Sequence, residues 1–235
     1  MEAAERAQRF DLDPRVPQSS RVYNAWLGGK DHYAADREVA ARVMERRPQV
    51  VSAACANRLF LGRAVRYVAQ RHGVTQFLDI GAGLPAPDNT HVVAQRIDPR
   101  ARVVYVDSDP VVMAHARALL TSGPEGACDH VHADLRDTEY VLRSAARTLD
   151  FAPEAVGEAV DTYNKAVPTP VTARTHAQVT GLFAGLPLVA PGVVPVSEWR
   201  PDMIVRQVVD LYGGVARTPA RRHWAQPRTP SRPSR

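Results

Sequence analysis

The apolar and polar positions between residues 76 and 149 follow two alternating patterns, one typical of buried strands and one typical of helices. Short apolar runs lie at 77–80, 102–107 and 131–134, and helix-like stretches follow them at 90–96, 110–120 and 139–149. Three strand–helix units in succession favour an α/β fold with a doubly wound parallel sheet. In such a sheet, ligands bind at the carboxyl ends of the strands.

A glycine-rich turn directly follows the first predicted strand, in the stretch QFLDIGAGLPAPD at residues 76–88. Gly81 and Gly83 let the backbone turn sharply and approach a ligand closely. Pro85 and Pro87 prevent an early helix. The stretch therefore predicts a ligand-binding loop at the carboxyl end of the first strand.

Helical patterns precede this strand. A short helix is expected at 21–27, a break at Gly28 and Gly29, and a second helix capped by Asp31. A longer helix at 51–71 ends before Gly73, a residue type that often terminates helices.

The pattern weakens after Leu149. Helices are expected from Pro153 and at 172–183, and two late runs, 187–199 and 210–217, predict an antiparallel strand pair at a sheet edge.

Composition limits the class of protein. The 235 residues, 45% of them hydrophobic, can bury one substantial core. No apolar run approaches the roughly 18 residues of a transmembrane helix, and the N-terminus is too charged for a secretory signal. We therefore expect a cytoplasmic protein with no membrane partner.

The formal net charge of +5 is concentrated in the last residues, because the stretch from Arg217 to Arg235 holds six arginines and no acid. Without them the formal charge is −1, so no specific nucleic-acid binding is expected. The two cysteines, Cys55 and Cys128, predict reduced and buried thiols rather than a disulfide. His130 and His132 have no third ligand that the sequence places beside them, so no metal site is predicted.

Acidic residues accompany all three predicted strands: Asp79 lies within the first, Asp107 ends the second and Asp134 ends the third. The ends of parallel strands converge on one crevice, where a carboxylate at Asp107 could accept hydrogen bonds from both hydroxyls of a ribose. The sequence thus predicts a nucleoside cofactor.

A nicotinamide cofactor is the competing interpretation, because Gly81, Gly83 and Ala86 formally satisfy the dinucleotide fingerprint. In that fingerprint a helix begins at the second glycine and receives the pyrophosphate at its N-terminus. Pro85 and Pro87 displace such a helix, which favours a different cofactor.

The motifs LDIGAG, YVDSDP and HADLRD, in this order, resemble the cofactor half of class I S-adenosylmethionine-dependent methyltransferases. More narrowly, these motifs with RVYNAWLGGKDHYAADREVA, PGVVPVSEWRPD and LYGGVAR resemble an actinobacterial methyltransferase family formerly described as a domain of unknown function. The resemblance covers roughly residues 17–219. It implies a Rossmann-like domain that uses S-adenosylmethionine and a small-molecule methyl acceptor.

The resemblance also implies roles for individual residues. Gly81 and Gly83 would border the methionine part of the cofactor, Asp107 would hold the ribose, and Asp134 with Leu135 would lie beside the adenine. Asp79 and Ser108 would also belong to the cofactor site. The LGGKD turn, with Gly28, Gly29 and Lys30, would belong to a cover over the cofactor, or it would only join two helices. The implied organisation is a flexible arm (1–20), an N-terminal cover (21–75), the methyltransferase domain (76–217) and a basic disordered tail (218–235).

The chain departs from the family pattern after residue 150. A fourth strand, a crossover helix and a fifth strand, together roughly 40 residues, have no counterpart between Asp150 and Pro153. This predicted interruption would remove a neighbour of the first strand. The sequence therefore leaves two hypotheses: a methyltransferase of unknown acceptor that works by in-line displacement, or a cofactor-binding remnant without catalysis.

Overall fold

A three-stranded parallel sheet forms the centre of the fold in the computed structural model, which describes residues 13–149, 173–203 and 208–218. Strand β2 (Arg102–Asp107) lies between β1 (Gln76–Ile80) and β3 (Ala127–His132). The register aligns Ile80 with Val106 and Asp107 with His132, so the three carboxyl ends lie at one edge. The predicted parallel α/β sheet is confirmed.

The third strand differs from its predicted position at 131–134, because it ends at His132 and begins at Ala127. Its polar residues have tertiary partners that the sequence pattern does not reveal. Asp129 accepts a hydrogen bond from the hydroxyl of Thr148, and the His130 ring stacks on Tyr105 of β2. These contacts allow polar residues to extend the strand toward its N-terminus.

Helices cover both faces of the sheet. Helices α4 (Thr90–Gln95) and α5 (Pro110–Leu119) lie on one face, where Val103 and Tyr105 pack against α5. Helix α6 (Thr138–Ala145) lies on the other face and packs against Val104 and Val106. The alternating side chains of β2 are therefore buried on both faces, as a doubly wound sheet requires.

Three helices precede the sheet: α1 (Ser19–Trp26), α2 (Ala34–Arg46) and α3 (Val50–His72). Helix α3 ends at Gly73, whose positive φ of 62° forms a left-handed cap. The expected cap of α2 at Asp31 is wrong, because the N-cap is Tyr33, whose backbone N–H donates to the carboxylate of Asp36. Helix α1 begins inside the range 1–20 assigned to an arm, while residues 1–12 and 219–235 lie outside the described residues.

The C-terminal segment packs on α3. It contains α7 (His176–Gly181) and an antiparallel pair of β4 (Val194–Pro195) with β5 (Tyr212–Gly213). The predicted late pair is thus confirmed, but its position at an edge of the main sheet is wrong, because the two strands form a separate sheet. Arg63 of α3 holds this segment by donating hydrogen bonds to the carbonyls of Val196 and Trp199.

Strand β1 lies at an edge of the main sheet in the part of the chain that the structure describes. Among the described residues its only strand partner is β2, and Ile80 at its end is 38% exposed whereas Val106 beside it is buried. The helix predicted from Pro153 lies outside the described residues, and the interruption after residue 150 stays a prediction. In the described parts of the chain, no helix has the length and apolar character needed to cross a membrane.

Candidate functional site

A cavity of about 640 Å³ lies at the carboxyl ends of β1 and β2, beneath α1 and α3. The sheet side contributes the end of β1, the glycine turn, the end of β2 and the loop after β3. The helical side contributes polar and apolar residues of α1 and α3. The lining residues include Ser20, Tyr23, Arg58, Asp79, Gly81, Gly83, Asp107, Ser108 and Leu135.

The glycine turn has the conformation that the sequence predicted. Gly81 and Gly83 have φ values of 73° and 67°, which L side chains rarely adopt. The N–H groups of Gly81 and Ala82 donate to the carbonyl of Val106, so the turn is fastened to the end of β2. Helix α4 begins only at Thr90. No helix N-terminus therefore stands at Gly83 to receive a pyrophosphate, which argues against the nicotinamide interpretation.

Asp107 connects the end of β2 with this turn. One carboxylate oxygen accepts a hydrogen bond from the N–H of Gly83, and the other accepts one from the N–H of Asp109, both at 2.9 Å. These two bonds fix the orientation of the carboxylate. Each oxygen retains a further lone pair for a ligand, because an ionised carboxylate offers about four acceptor sites.

Asp79 is the second carboxylate that faces the cavity. Burial raises its pKa, and the nearby Asp107 adds to the increase, while a hydrogen bond from Thr90 and the charge of Arg58 act in the opposite direction. The Thr90 hydroxyl donates to Asp79 at 2.6 Å. Asp79 therefore favours a ligand that brings positive charge.

Arg58 is the one cationic side chain among the described residues that line the cavity. It reaches from α3 toward the glycine loop, the segment from Gly81 to Asn89 that joins β1 to α4. There Nη2 lies 3.4 Å from Asn89 Oδ1 and 3.5 Å from the carbonyl oxygen of Asp88. These contacts are long, so the guanidinium has N–H groups that can bind an anion.

Sequence reasoning missed Arg58, although the chain contained a signal. Position 58 follows Ala54 by one helical turn and precedes Leu61 on the same apolar stripe of α3. A cation in an apolar stripe indicates that the helix face covers a polar site rather than a purely apolar core. Ser20 of α1, which also lines the cavity, had no comparable signal.

Tyr23 of α1 closes the helical side of the cavity. Its hydroxyl donates to the carbonyl of Ala54 and accepts from the amide of Asn57. Burial raises the pKa of Tyr23, so its hydroxyl is neutral at physiological pH. Tyr23 therefore shapes the wall of the cavity and is a poor base.

A smaller cavity of about 440 Å³ adjoins the first, between α1, α3 and the loop after β1. The two cavities share Ser20, Tyr23, Arg58, Ala82 and Gly83. The remaining wall of the smaller cavity is mainly apolar and includes Leu27, Cys55, Leu59, Pro85, Ala86 and Pro87. Its lining suits a compact molecule with few charges.

The structure brings together most of the residues that the sequence assigned to the cofactor. Asp134, by contrast, lines neither cavity, because its carboxylate pairs with the Arg136 guanidinium two residues later. The hydrogen bonds from that side chain lower the pKa of Asp134. The predicted residues that line the larger cavity are Asp79, Gly81, Gly83, Asp107, Ser108 and Leu135.

The LGGKD turn lies beside the smaller cavity and is organised around Asn24. Gly29 lines that cavity, whereas Gly28 and Lys30 line neither one. A Cβ at Gly29 would collide with the side chain of Asn24, whose oxygen accepts a hydrogen bond from the N–H of Asp31. The turn therefore serves at least to join α1 to α2 at close approach.

The two cysteines differ in their relation to the cavities, because Cys55 lines the smaller one and Cys128 lines neither. Both cysteines are free, but Cys55 is exposed, so its expected burial is wrong. Burial raises the pKa of Cys128 to about 12, which keeps that thiol protonated. Across the described ranges, no three His, Cys, Asp or Glu side chains are grouped as a metal site.

Comparisons with known proteins agree with the α/β fold. A family model described as S-adenosyl methyltransferase matches residues 5–156 and 147–219. The crystal structure of a DUF574 family protein from Streptomyces avermitilis MA-4680 is 33% identical and has a TM-score of 0.73, covering 89% of this chain and 100% of that chain. Another, described as "a putative methyltransferase" from Thermobifida fusca YX, is 36% identical with a TM-score of 0.69, covering 81% of this chain and 88% of that chain. The comparison with curated proteins gives no match.

Proposed function

The chain belongs to the S-adenosyl methyltransferase family, and from this premise we propose that its larger cavity binds S-adenosylmethionine for methyl transfer to a small molecule. The observation that carries the proposal is the set of charges that line the cavity, where Asp79 and Asp107 are joined by one cation among the described lining residues, Arg58. S-adenosylmethionine carries a positive sulfonium, a positive ammonium and a negative carboxylate. Asp79 and Arg58 therefore complement the ammonium and the carboxylate of its methionine part, and Asp107 offers acceptors to its ribose hydroxyls.

The residues present fit the parts of this cofactor. Asp107 is held at the end of β2 with free acceptor positions for the ribose hydroxyls, and Ser108 and Leu135 line the neighbouring wall where the adenine would lie. Gly81 and Gly83 expose backbone beside the methionine part without side-chain obstruction. Asp134 is engaged by Arg136, so we assign it a smaller part in binding than Asp107.

Arg58 would hold the methionine carboxylate, and Asp79 would face the ammonium group. Both assignments follow from charge, because burial makes the ionised form of Asp79 costly until a cation is close. Arg58 offers paired N–H donors, which suit the planar geometry of a carboxylate.

When bound, the cofactor would supply a methyl group carried by its sulfonium sulfur. A nucleophile would attack the methyl carbon in line with the C–S bond, which breaks and releases S-adenosylhomocysteine. The protein's own contribution is to hold the reactants close and oriented, and a base is needed only if the nucleophile carries a proton. We propose that the smaller, mainly apolar cavity holds the acceptor, because it adjoins the cofactor cavity at Arg58 and Gly83. Helix α1 would exclude water from both.

The predicted interruption bears on catalysis rather than on binding. The family match consists of two segments, 5–156 and 147–219, which overlap in this chain at 147–156. The predicted interruption lies within that overlap. Among the described residues, β1 has a strand neighbour only on the β2 side. These two observations favour a second candidate function, a cofactor-binding remnant in which methyl transfer is weak or absent.

Calorimetric titration tests the proposal. Wild-type protein should bind S-adenosylmethionine and S-adenosylhomocysteine, and Arg58→Gln should weaken both roughly 10- to 100-fold, the range for losing a hydrogen bond to a charged group. Decarboxylated S-adenosylmethionine is the matched control ligand, and its affinity should hardly change in Arg58→Gln. The absence of heat with all three ligands would contradict the cofactor assignment.

Turnover separates the two candidate functions. Binding without release of labelled methyl product, across a panel of small acceptors, would favour the remnant. Ordinary turnover rates would contradict the remnant and support methyl transfer.

A further inference from the structure

A buried ion cluster joins the N-terminal helices to the sheet. Arg21 of α1 is 1% exposed and lies between Asp36 of α2, which is 0% exposed, and Asp109 at the start of α5, which is 5% exposed. Its Nε donates to Asp36 at 3.0 Å, and its Nη1 lies 3.6 Å from a carboxylate oxygen of Asp109. The third guanidinium nitrogen donates to the carbonyl of Val16 at 2.8 Å.

Such a cluster is costly if it serves only stability. Removing several charges from water costs several kcal/mol for each ion, and well-packed apolar residues often stabilise a fold equally well or better. Asp36 also accepts hydrogen bonds from the N–H groups of Gln18 and Tyr33, so both of its buried oxygens have hydrogen-bond partners. A buried cluster of this kind indicates a need for fixed geometry.

The cluster continues into the candidate cofactor site through Asp109. The backbone N–H of Asp109 donates to one carboxylate oxygen of Asp107, and the other oxygen of Asp107 accepts from Gly83. The Asp109 side chain caps α5 at Val111 and accepts a 2.6 Å hydrogen bond from the hydroxyl of Ser20 on α1. Asp109 is thus held from both sides, by its own helix and by α1.

We infer that Arg21 is a positioning residue, which acts through Asp109 to hold Asp107 and the turn at Gly83 in the geometry that receives the cofactor. The inference rests on the proposed function, because it takes Asp107 as a cofactor contact. It makes docking of α1 and binding of the cofactor reciprocally dependent, since each stabilises the same arrangement of Asp107. The N-terminal cover is therefore part of the cofactor site and more than a lid.

Arg21→Met removes the charge and keeps much of the apolar side chain. It should weaken binding of S-adenosylhomocysteine about 10-fold in wild-type background, but less than about 2-fold when combined with Asp107→Asn, because the effect passes through Asp107. Arg63→Met is the matched control, since Arg63 also fastens two elements together but lies at the C-terminal segment. It should lower Tm without changing that affinity.

Amide hydrogen exchange gives a readout that needs no ligand. In Arg21→Met the amides of Gly83 and Asp109 should exchange faster by about 10-fold, while those of Val104 and Tyr105 in the middle of β2 should not change. If wild-type protein binds no cofactor, the proposed function fails, and this exchange pattern still decides whether Arg21 positions Asp107.

Should Arg21→Met fail to fold, Arg21→Lys supplies the test, because it keeps the charge but loses the fork that spans two acids. The amides of Gly83 and Asp109 should again exchange faster than in wild type. The affinity for S-adenosylhomocysteine should be lower than that of wild type, by less than the 10-fold expected for Arg21→Met. A drop in Tm with unchanged affinity and unchanged Gly83 and Asp109 exchange, in whichever variant folds, would overturn the inference.

Discussion

Asp107 illustrates how one side chain combines a structural role with the binding role that we propose for it. Its carboxylate already accepts two backbone hydrogen bonds, from Gly83 and Asp109, before any ligand binds. This preorganisation lowers the cost of orienting the carboxylate toward a ribose. It also makes alanine a poor probe, because removing both oxygens would release the turn as well as the ligand contact.

Asparagine at position 107 is a milder change, because its amide oxygen can still accept one of the two backbone hydrogen bonds. Asp107→Asn should weaken S-adenosylhomocysteine binding by about 1.5 to 3 kcal/mol, the range for a hydrogen bond to a charged group. Asp134→Asn is the matched control in the loop after the next strand, and it should change the affinity by less than about 0.5 kcal/mol. If calorimetry shows an equal loss of affinity in the two variants, Asp134 contacts the cofactor as the family resemblance implies.

Asp79 carries a stability cost that depends on pH. Burial raises its pKa above the ordinary value of about 3.9 for aspartate, so the unfolded chain loses this proton at lower pH than the fold does. The contribution of Asp79 to stability is therefore complete below the ordinary value and is lost as pH rises through the raised value. At neutral pH the ionised side chain is tolerated at a cost.

Asp79→Asn should remove that cost while keeping the hydrogen bond from Thr90. The free energy of unfolding at pH 7 should rise by about 1 to 3 kcal/mol, the range for desolvating a buried polar group. Urea unfolding from pH 8 to pH 4 should show this gain shrinking as the pH falls. A gain in stability that is constant across this pH range would mean that Asp79 does not titrate as proposed. Asp79→Asn should also bind the cofactor more weakly, because it lacks the negative charge.

At the scale of elements, α3 organises three parts of the molecule. Its C-terminal half packs on α4 through Val65, Arg58 reaches the glycine loop, and Arg63 fastens the C-terminal segment. Trp199 of that segment is fully buried and meets the rings of Phe60 and Tyr67 edge-on at 5.5 and 5.7 Å. The helix thus links the candidate site to a region distant from it in sequence.

Trp199→Ala should test this packing. Removal of a buried tryptophan side chain typically costs about 3 to 5 kcal/mol, and this cost should appear in chemical unfolding. Leu59→Ala on the same helix is a suitable control, because Leu59 is 64% exposed and should change stability by less than about 0.5 kcal/mol. Similar losses in both variants would contradict the proposed role of Trp199 in anchoring the segment.

At the scale of the whole molecule, the position of β1 is the feature that the family membership makes unexpected. The strand carries the glycine turn, yet among the described residues it pairs only with β2. Strands that lack a neighbour on one side open more easily than central strands. The cofactor should therefore contribute strongly to the stability of this edge.

Amide exchange of the two strands tests this difference. The amides of Leu78 to Ile80 should exchange at least about 10-fold faster than those of Val104 to Val106, and saturating S-adenosylhomocysteine should reduce the gap. Equal protection in the free protein would show that a further stretch of chain pairs with β1.

The sequence by itself determined the elements and their order. Apolar runs of the right length placed β1 and β2, and glycines 81 and 83 located the turn, because strand pattern and backbone freedom are local properties. Asp79 and Asp107 could be assigned to one crevice for the same reason, since both lie at or near the ends of parallel strands. The family motifs then identified the cofactor class.

Only the tertiary structure decided which distant side chains complete the site. Arg58 meets the glycine loop from α3, and Ser20 and Arg21 meet Asp109 from α1, across separations that no local pattern encodes. The same dependence explains why β3 begins earlier than predicted and why the late strands form their own sheet. Such contacts follow from how preformed elements pack, and packing is settled by all the elements together.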